Sequence, residues 1–201
     1  SSDSRKTSVS KGDRFILEWE NFTGELKYTF AISSSARNTT PIVLTRLHWG
    51  GLVGYGEASL PPYLGETQAS VNEFLKKVQT NVLPKFNDPF RIEEILTEID
   101  AIAINNTAAK AAVDIALHDL VGKIMEQPWW KIWGFRPEDT PCTSYTIGWD
   151  ASDEIVKEKT HEASWSKVLK VKLGRGDYED RRMIRIIREN NPDTPMYIDA
   201  N

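Results

Sequence analysis

Two short apolar runs, each ending in polar residues two apart, constrain this chain most. They are Lys167-Val168-Leu169-Lys170-Val171-Lys172-Leu173-Gly174 and, one helix length later, Met196-Tyr197-Ile198-Asp199-Ala200-Asn201. In a β-strand, residues i and i+2 lie on one face, roughly 6.5 to 7 Å apart. Lys170 and Lys172 therefore share a face, as do Asp199 and Asn201. Strands joined by a helical crossover run parallel. This brings a basic pair and a carboxylate to the carboxyl ends of neighbouring strands, a setting suited to proton abstraction beside a metal ion.

The same rhythm begins at Pro141. Cys142 to Gly148 reads as a strand, and Asp150 to Ala163 as a helix with Asp150 near its cap. Val168 to Lys172 is the second strand, Tyr178 to Asn190 the second helix and Met196 to Asp199 the third strand. Eight such units would close a barrel whose active site sits at the carboxyl strand ends. Three strands and two helices do not close one, so the sequence is expected to be part of a longer protein.

The preceding region has another character. Phe15 to Trp19, Leu26 to Phe30, Ile42 to Leu47 and Leu52 to Tyr55 read as strands, with Gly24 and Gly50-Gly51 as turns. Loops are expected at Ser33 to Thr40 and Leu60 to Glu66. Helical periodicity then takes over. Thr67 caps a helix reaching about Val82, a second helix covers Arg91 to Ile104, and a third covers Thr107 to Met125. That third helix should bury Ala112, Ile115, Ala116 and Val121, with small residues that allow close packing. A meander sheet followed by a helical bundle makes an α+β unit.

Composition narrows the function classes. The 40% hydrophobic content of 201 residues can bury a core, and a formal charge of −4 without a basic run gives no sign of a nucleic-acid partner. No apolar stretch is long enough to span a bilayer. A lone cysteine, Cys142, excludes an internal disulfide framework and fits a cytoplasmic setting, with export after signal removal left open. Residues 1–13 are polar and Ser-rich and are expected to be a disordered leader, outside the fold. Self-association is left open.

Matching segments along the chain carry a resemblance. The helix Ala111-Ala112-Val113-Asp114-Ile115-Ala116-Leu117-His118-Asp119-Leu120-Val121-Gly122-Lys123, with the K-x-K and D-A-N strand ends, resembles the enolase superfamily, most of all its muconate-lactonizing branch. Thr143-Ser144-Tyr145-Thr146-Ile147-Gly148, with Gly54-Tyr55-Gly56-Glu57-Ala58 and Pro61-Pro62-Tyr63, is similar to the dipeptide epimerases of that branch. The resemblance implies an α+β N-terminal capping domain over 14–138 (meander sheet plus helical bundle). Residues 139–201 would then be the first βαβαβ part of a (β/α)7β TIM-like barrel. The implied activity is epimerisation of a small-molecule dipeptide by 1,1-proton transfer at the α-carbon, with Mg²⁺.

By the same resemblance Lys172 is the acid/base on one substrate face and Lys170 assists electrostatically. Asp199 is a metal ligand, and Asn201 gives it polar support. Thr146 contacts substrate, and the loops Ser33 to Thr40 and Leu60 to Glu66 fold over the barrel mouth. Arg37, on the first of these loops, is a candidate bidentate donor to a substrate carboxylate by its chemistry alone. Two more acidic ligands and a second lysine belong beyond Asn201, so residues 1–201 alone are expected to be inactive.

The chemistry accounts for such residues. Removing an α-proton beside an ionised carboxylate adds charge to an anion, and a divalent metal stabilises the ene-diolate that forms. A lysine at its free pKa of about 10.4 is a poor base, but a neighbouring ammonium, a metal's charge and partial burial each favour the neutral form. Mg²⁺ prefers oxygen ligands.

Plainer readings exist. Lys170 and Lys172 also suit the solvent face of an amphipathic strand, and Asp-Ala-Asn is good turn chemistry. Thr146 fits an ordinary strand and Arg37 a solvated loop, while Glu57 reads as structural. His48, His118 and His161 show no ligand spacing and read as packing or surface residues. Cys142 is expected to be a buried thiol, and Trp129, Trp130 and Trp133 to pack the joint between the two regions. A cycloisomerase, an o-succinylbenzoate synthase and an N-acylamino acid racemase stay open within the branch. Outside it, so does a non-catalytic half-barrel binding or assembly module.

Overall fold

A computed structural model describes residues 13–201. The leader read at 1–13 lies outside these residues apart from Asp13. The described residues divide into two compact units, 13–24 with Thr40–Arg136, and Glu25–Thr39 with Pro137–Asn201. Strands β1 (Ile16–Ala31) and β2 (Ala36–Trp49) are each shared between them.

The first unit holds a three-stranded sheet in the order β1-β2-β3, with β3 (Leu52–Ser59) antiparallel to β2. Helices α1 (Gln68–Lys77), α2 (Ile92–Asp100), α3 (Thr107–Ile124) and the short α4 (Trp129–Ile132) follow. Thr67 opens α1 with a reciprocal capping box: Ser70 N donates to Thr67 Oγ1 at 3.1 Å and Thr67 N to Ser70 Oγ at 2.9 Å. α3 lies on β3 through small residues. A Cβ on Gly54 would sit 2.0 Å from Ala116 O, and one on Gly56 2.0 Å from Ala112 O. Thr45 Oγ1 donates to that same Ala112 carbonyl at 2.8 Å. Val43, Leu47, Leu75, Ile95, Leu117 and Leu120 fill the surrounding core.

The N-terminus of α3 has no side-chain cap of its own, since Asn106 is left-handed with φ 51°. Glu66 supplies the missing acceptor, taking Ala108 N at 2.9 Å and Ala109 N at 3.3 Å. Its carboxylate meets the positive end of the helix dipole. The loop Leu60 to Glu66 is thereby tied to α3.

The second unit contains β4 (Ser144–Ile147), α5 (Asp153–Glu162), β5 (Val168–Lys172), α6 (Asp177–Asn190) and β6 (Met196–Asp199). The three strands are parallel in the order β4-β5-β6. Ile147, Leu169 and Val171 are fully buried with Val156, Met183 and Ile187 of the two helices. Buried Arg182 ties α6 to α5, pairing with Asp153 at 2.6 Å and Glu179 at 2.9 Å.

Several expectations need correction. The two strands read before Ala31 are one, and Gly24 lies inside it facing Thr40 of β2 rather than making a turn. Gln68 Nε2 donates to Phe22 O and Ile42 O, satisfying mid-hairpin backbone where a turn was expected. The loop read at Ser33 to Thr40 shrinks to a tight turn closed by Ile32 N donating to Ser35 O at 2.8 Å, with Ala36 onward in β2. α2 stops at Asp100, and left-handed Asn105 and Asn106 follow before the next helix. Ile115 is 50% exposed, whereas Ala112, Ala116 and Val121 are buried as expected. Ser152 caps α5 and Asp150 instead accepts from Ser152 N. Cys142 precedes β4 and is exposed, not buried.

Gly56→Ala is expected to destabilise the full-length protein by on the order of 3 kcal/mol, because a backbone carbonyl cannot rotate away from the added methyl. Glu66→Ala should cost about 1 kcal/mol through the orphaned α3 donors. Urea unfolding measures both, and wild-type midpoints would contradict these packing and capping roles.

Candidate active site at the carboxyl ends of the parallel strands

Register builds the site. Thr146 stands opposite Lys170, and Lys172 opposite Asp199. In-register neighbours in a parallel sheet project to the same face, and so do residues two apart along a strand. Thr146, Lys170, Lys172 and Asp199 thus share one face, opposite the helix-covered Ile147, Leu169 and Val171.

Lys172 Nζ donates to Asp199 Oδ2 at 2.6 Å, and Lys170 Nζ lies 3.1 Å from the same oxygen. Asn201, left-handed with φ 63°, turns its backbone N–H onto Asp199 Oδ1 at 2.9 Å. The Lys172 hydrogen bond, then the Asn201 N–H and the Lys170 hydrogen bond, hold the Asp199 carboxyl well below the usual carboxylate range. Asp199 is an anion at any physiological pH. The Lys172 side chain is only 15% exposed, so one of the two ammonium groups is largely withdrawn from water.

An anionic carboxylate flanked by a backbone amide is a hard oxygen donor of the kind Mg²⁺ accepts. Asp199 fits one position in such a coordination shell. Among the described residues no group of three or more His, Cys, Asp or Glu side chains could hold a metal ion.

The expected substrate residues are placed differently. Thr146 joins the lysine face and also borders a cavity of about 230 Å³ with Leu26, Tyr28, Phe30, Gly148 and Lys159. The Arg37 guanidinium lies over the Phe30 ring at 5.5 Å, and its buried Nη1 has no hydrogen-bond partner.

Two features of this unit escaped sequence reasoning. The turn Ile32 to Ser35 meets the strand ends: Asn201 Nδ2 donates to Ser33 Oγ at 3.0 Å and Arg175 Nη2 to Ile32 O at 3.3 Å. These pairs are far apart in sequence, and no local pattern announces them. Lys159 is 7% exposed, donates to Gly148 O at 3.3 Å, and has its pKa pushed down by burial. Its helical spacing from Val156 and Ala163 could have placed it on the buried face.

The described histidines behave as expected. His48 pairs with Glu18, His161 with Asn190, and His118 packs edge-on against Trp129. Trp129, Trp133 and Phe135 follow one another in ring contact, and Trp129 Nε1 donates to His118 O at 2.6 Å. No helix among the described residues is long and apolar enough to cross a membrane.

Residues 22–134 match the N-terminal domain of the mandelate racemase / muconate lactonizing enzymes. The chain is 51% identical over 191 residues to an L-Ala-D/L-Glu epimerase of Bacteroides thetaiotaomicron, covering 94% of this chain and 48% of that protein. It is 30% identical to a hydrophobic dipeptide epimerase of Enterococcus faecalis, covering 88% of this chain and 50% of that protein. Among solved structures, an Enterococcus faecalis dipeptide epimerase complexed with Mg and L-Leu-L-Tyr superposes with a TM-score of 0.82 at 28% identity, covering 94% of this chain and 54% of that one. A Methylococcus capsulatus dipeptide epimerase complexed with Mg and L-Arg-D-Lys gives 0.81 at 26% identity, with the same coverage. The chain spans about half the length of the curated relatives it matches. The three-stranded parallel sheet corresponds to part of a barrel, as the strand count implied. The chain belongs to the mandelate racemase / muconate lactonizing enzyme family, part of the enolase superfamily.

Proposed function

We propose that the full-length protein epimerises dipeptides by moving the proton at an α-carbon adjacent to a carboxylate or amide carbonyl. The observation that carries this reading is the convergence of Lys172 and Lys170 on Asp199 Oδ2 at adjacent strand ends. It stands in a chain 51% identical to an L-Ala-D/L-Glu epimerase.

Lys172, the more sheltered of the two lysines, takes the proton from one face of the substrate. To do so its Nζ first releases a proton to solvent and then, as the neutral amine, leaves Asp199 for the α-carbon. Lys170 remains beside it as a fixed cation, and a preorganised charge of that kind needs no reorganisation as negative charge develops. Asp199, aimed by the Asn201 N–H, would hold Mg²⁺ together with ligands from outside these residues. When bound, Mg²⁺ would offset the charge that builds on the substrate carboxylate. Thr146 stands one register step from this pair and contacts the substrate. The Arg37 guanidinium, whose buried Nη1 lacks a partner, supplies a donor for a carboxylate on the substrate. Returning the proton to the opposite face needs a second base, which this segment does not supply.

Three outcomes follow. In D₂O, the full-length protein should exchange the α-proton of a dipeptide such as L-Ala-L-Glu, read by loss of its ¹H NMR signal. N-succinyl amino acids serve as the competing panel. Lys172→Met should slow that exchange by about 10²- to 10⁴-fold, the range of a positioned general base, with Mg²⁺ affinity little changed. Retained exchange would remove Lys172 from the role. Residues 1–201 alone should show no epimerisation, and turnover by that segment would overturn the need for a second face.

A further inference from the structure

The turn Ile32 to Ser35 carries no regular structure, and Ser33, Ser34 and Ser35 are exposed. It is nevertheless held at three points to the ends of β5 and β6. Asn201 reaches Ser33, Arg175 reaches the Ile32 carbonyl, and Gly174 lies beneath it. Gly174 has φ 101°, and a Cβ there would lie 2.9 Å from Ala200 O and 3.5 Å from Ser33 Cβ. The ends of β5 and β6 therefore meet backbone to backbone at Gly174 and Ala200, with the Ser33 side chain of the turn beside them.

Arg175 is fixed from every side but the turn. Its backbone N–H and that of Gly174 both donate to the Asp180 carboxylate, at 3.1 and 3.0 Å. Its guanidinium lies 3.9 Å above the Trp149 ring. That ring is in turn fixed, because Trp149 Nε1 donates to Glu179 at 2.7 Å and Glu179 is paired with buried Arg182. A planar cation stacked on an anchored indole loses little freedom when it donates, so its bond to Ile32 O is preorganised. A lysine could carry the charge but not the stacked, directional fork.

We infer that Arg175 is a positioning residue: clamped on Trp149, it pins the Ile32–Ser35 turn over the carboxyl strand ends and so sets where Arg37, two residues past that turn, holds its guanidinium. Arg175 touches none of Lys170, Lys172 and Asp199 in these contacts, so it acts on substrate through the turn alone. The kinetic half of this inference rests on the epimerase reading, whereas the pinning does not.

The test uses the full-length protein with Arg175→Ala and Arg175→Lys, read by hydrogen exchange of the peptide spanning 30–40 and by steady-state kinetics. With alanine, exchange in that peptide should speed up on the order of tenfold, the factor that loss of one charge-assisted hydrogen bond supports. KM for the dipeptide should rise by a similar factor, with kcat within about twofold and Mg²⁺ affinity unchanged. Lysine should recover less than half of either effect. Unchanged exchange in Arg175→Ala overturns the pin, and faster exchange with unchanged KM overturns its role in substrate placement. If the wild-type protein epimerises no dipeptide, the epimerase reading fails while the exchange data still decide whether Arg175 holds the turn.

Discussion

Parallel pairing of β5 with β6 sets Lys172 opposite Asp199, and both ammonium groups of the K-x-K strand end then reach one carboxylate oxygen. Two cations brought this close repel each other unless an anion lies between them. Asp199 is that anion, and the Asn201 amide steadies its second oxygen. A slip of one residue in register would move Lys170 and Lys172 to the helix-covered face, against Val156 and Met183, where unpaired ammonium groups could not stay. The apolar alternation of β5 and the charge chemistry of its polar face therefore enforce the same register.

Outside the site, close approach does the comparable work. β3 meets α3 with no side chain between them at Gly54 and Gly56, and the Thr45 hydroxyl satisfies the carbonyl that this approach exposes. Glu66 extends the same economy to the start of α3, satisfying donors that Asn106, in its left-handed conformation, cannot. A loop expected to serve substrate recognition is thus anchored by its last residue to the helix behind it.

Periodicity and turn chemistry revealed the parts of this chain governed by local rules. The β5 and β6 bounds, the Thr67 cap and the extent of α3 depend on residues within a few positions of one another, and they were legible. The long β1 was not, because Gly24 signals a turn locally while Thr40 and Gln68, far along the chain, keep it extended. Ile115 misled because it lies about 100° around the helix from buried Ala116 and shares the open stripe of α3 with exposed Ala111. At the site, K-x-K and D-A-N marked the charged cluster. The Arg175–Trp149 stack and the Ser33–Asn201 contact depend on a tertiary meeting that no spacing encodes. Arg37 was named, yet its placement over Phe30 could come only from the folded hairpin.

With the site loaded, Asp199 would hold a metal ion in place of its lysine partners, leaving Lys172 for the substrate. The most direct test is a crystal structure of the full-length protein with Mn²⁺, located by its anomalous signal, and a bound dipeptide. The account predicts the ion on the Asp199 carboxylate and Lys172 Nζ turned to the substrate α-carbon. An ion bound elsewhere, with Asp199 Oδ2 still held by both lysines, would contradict it.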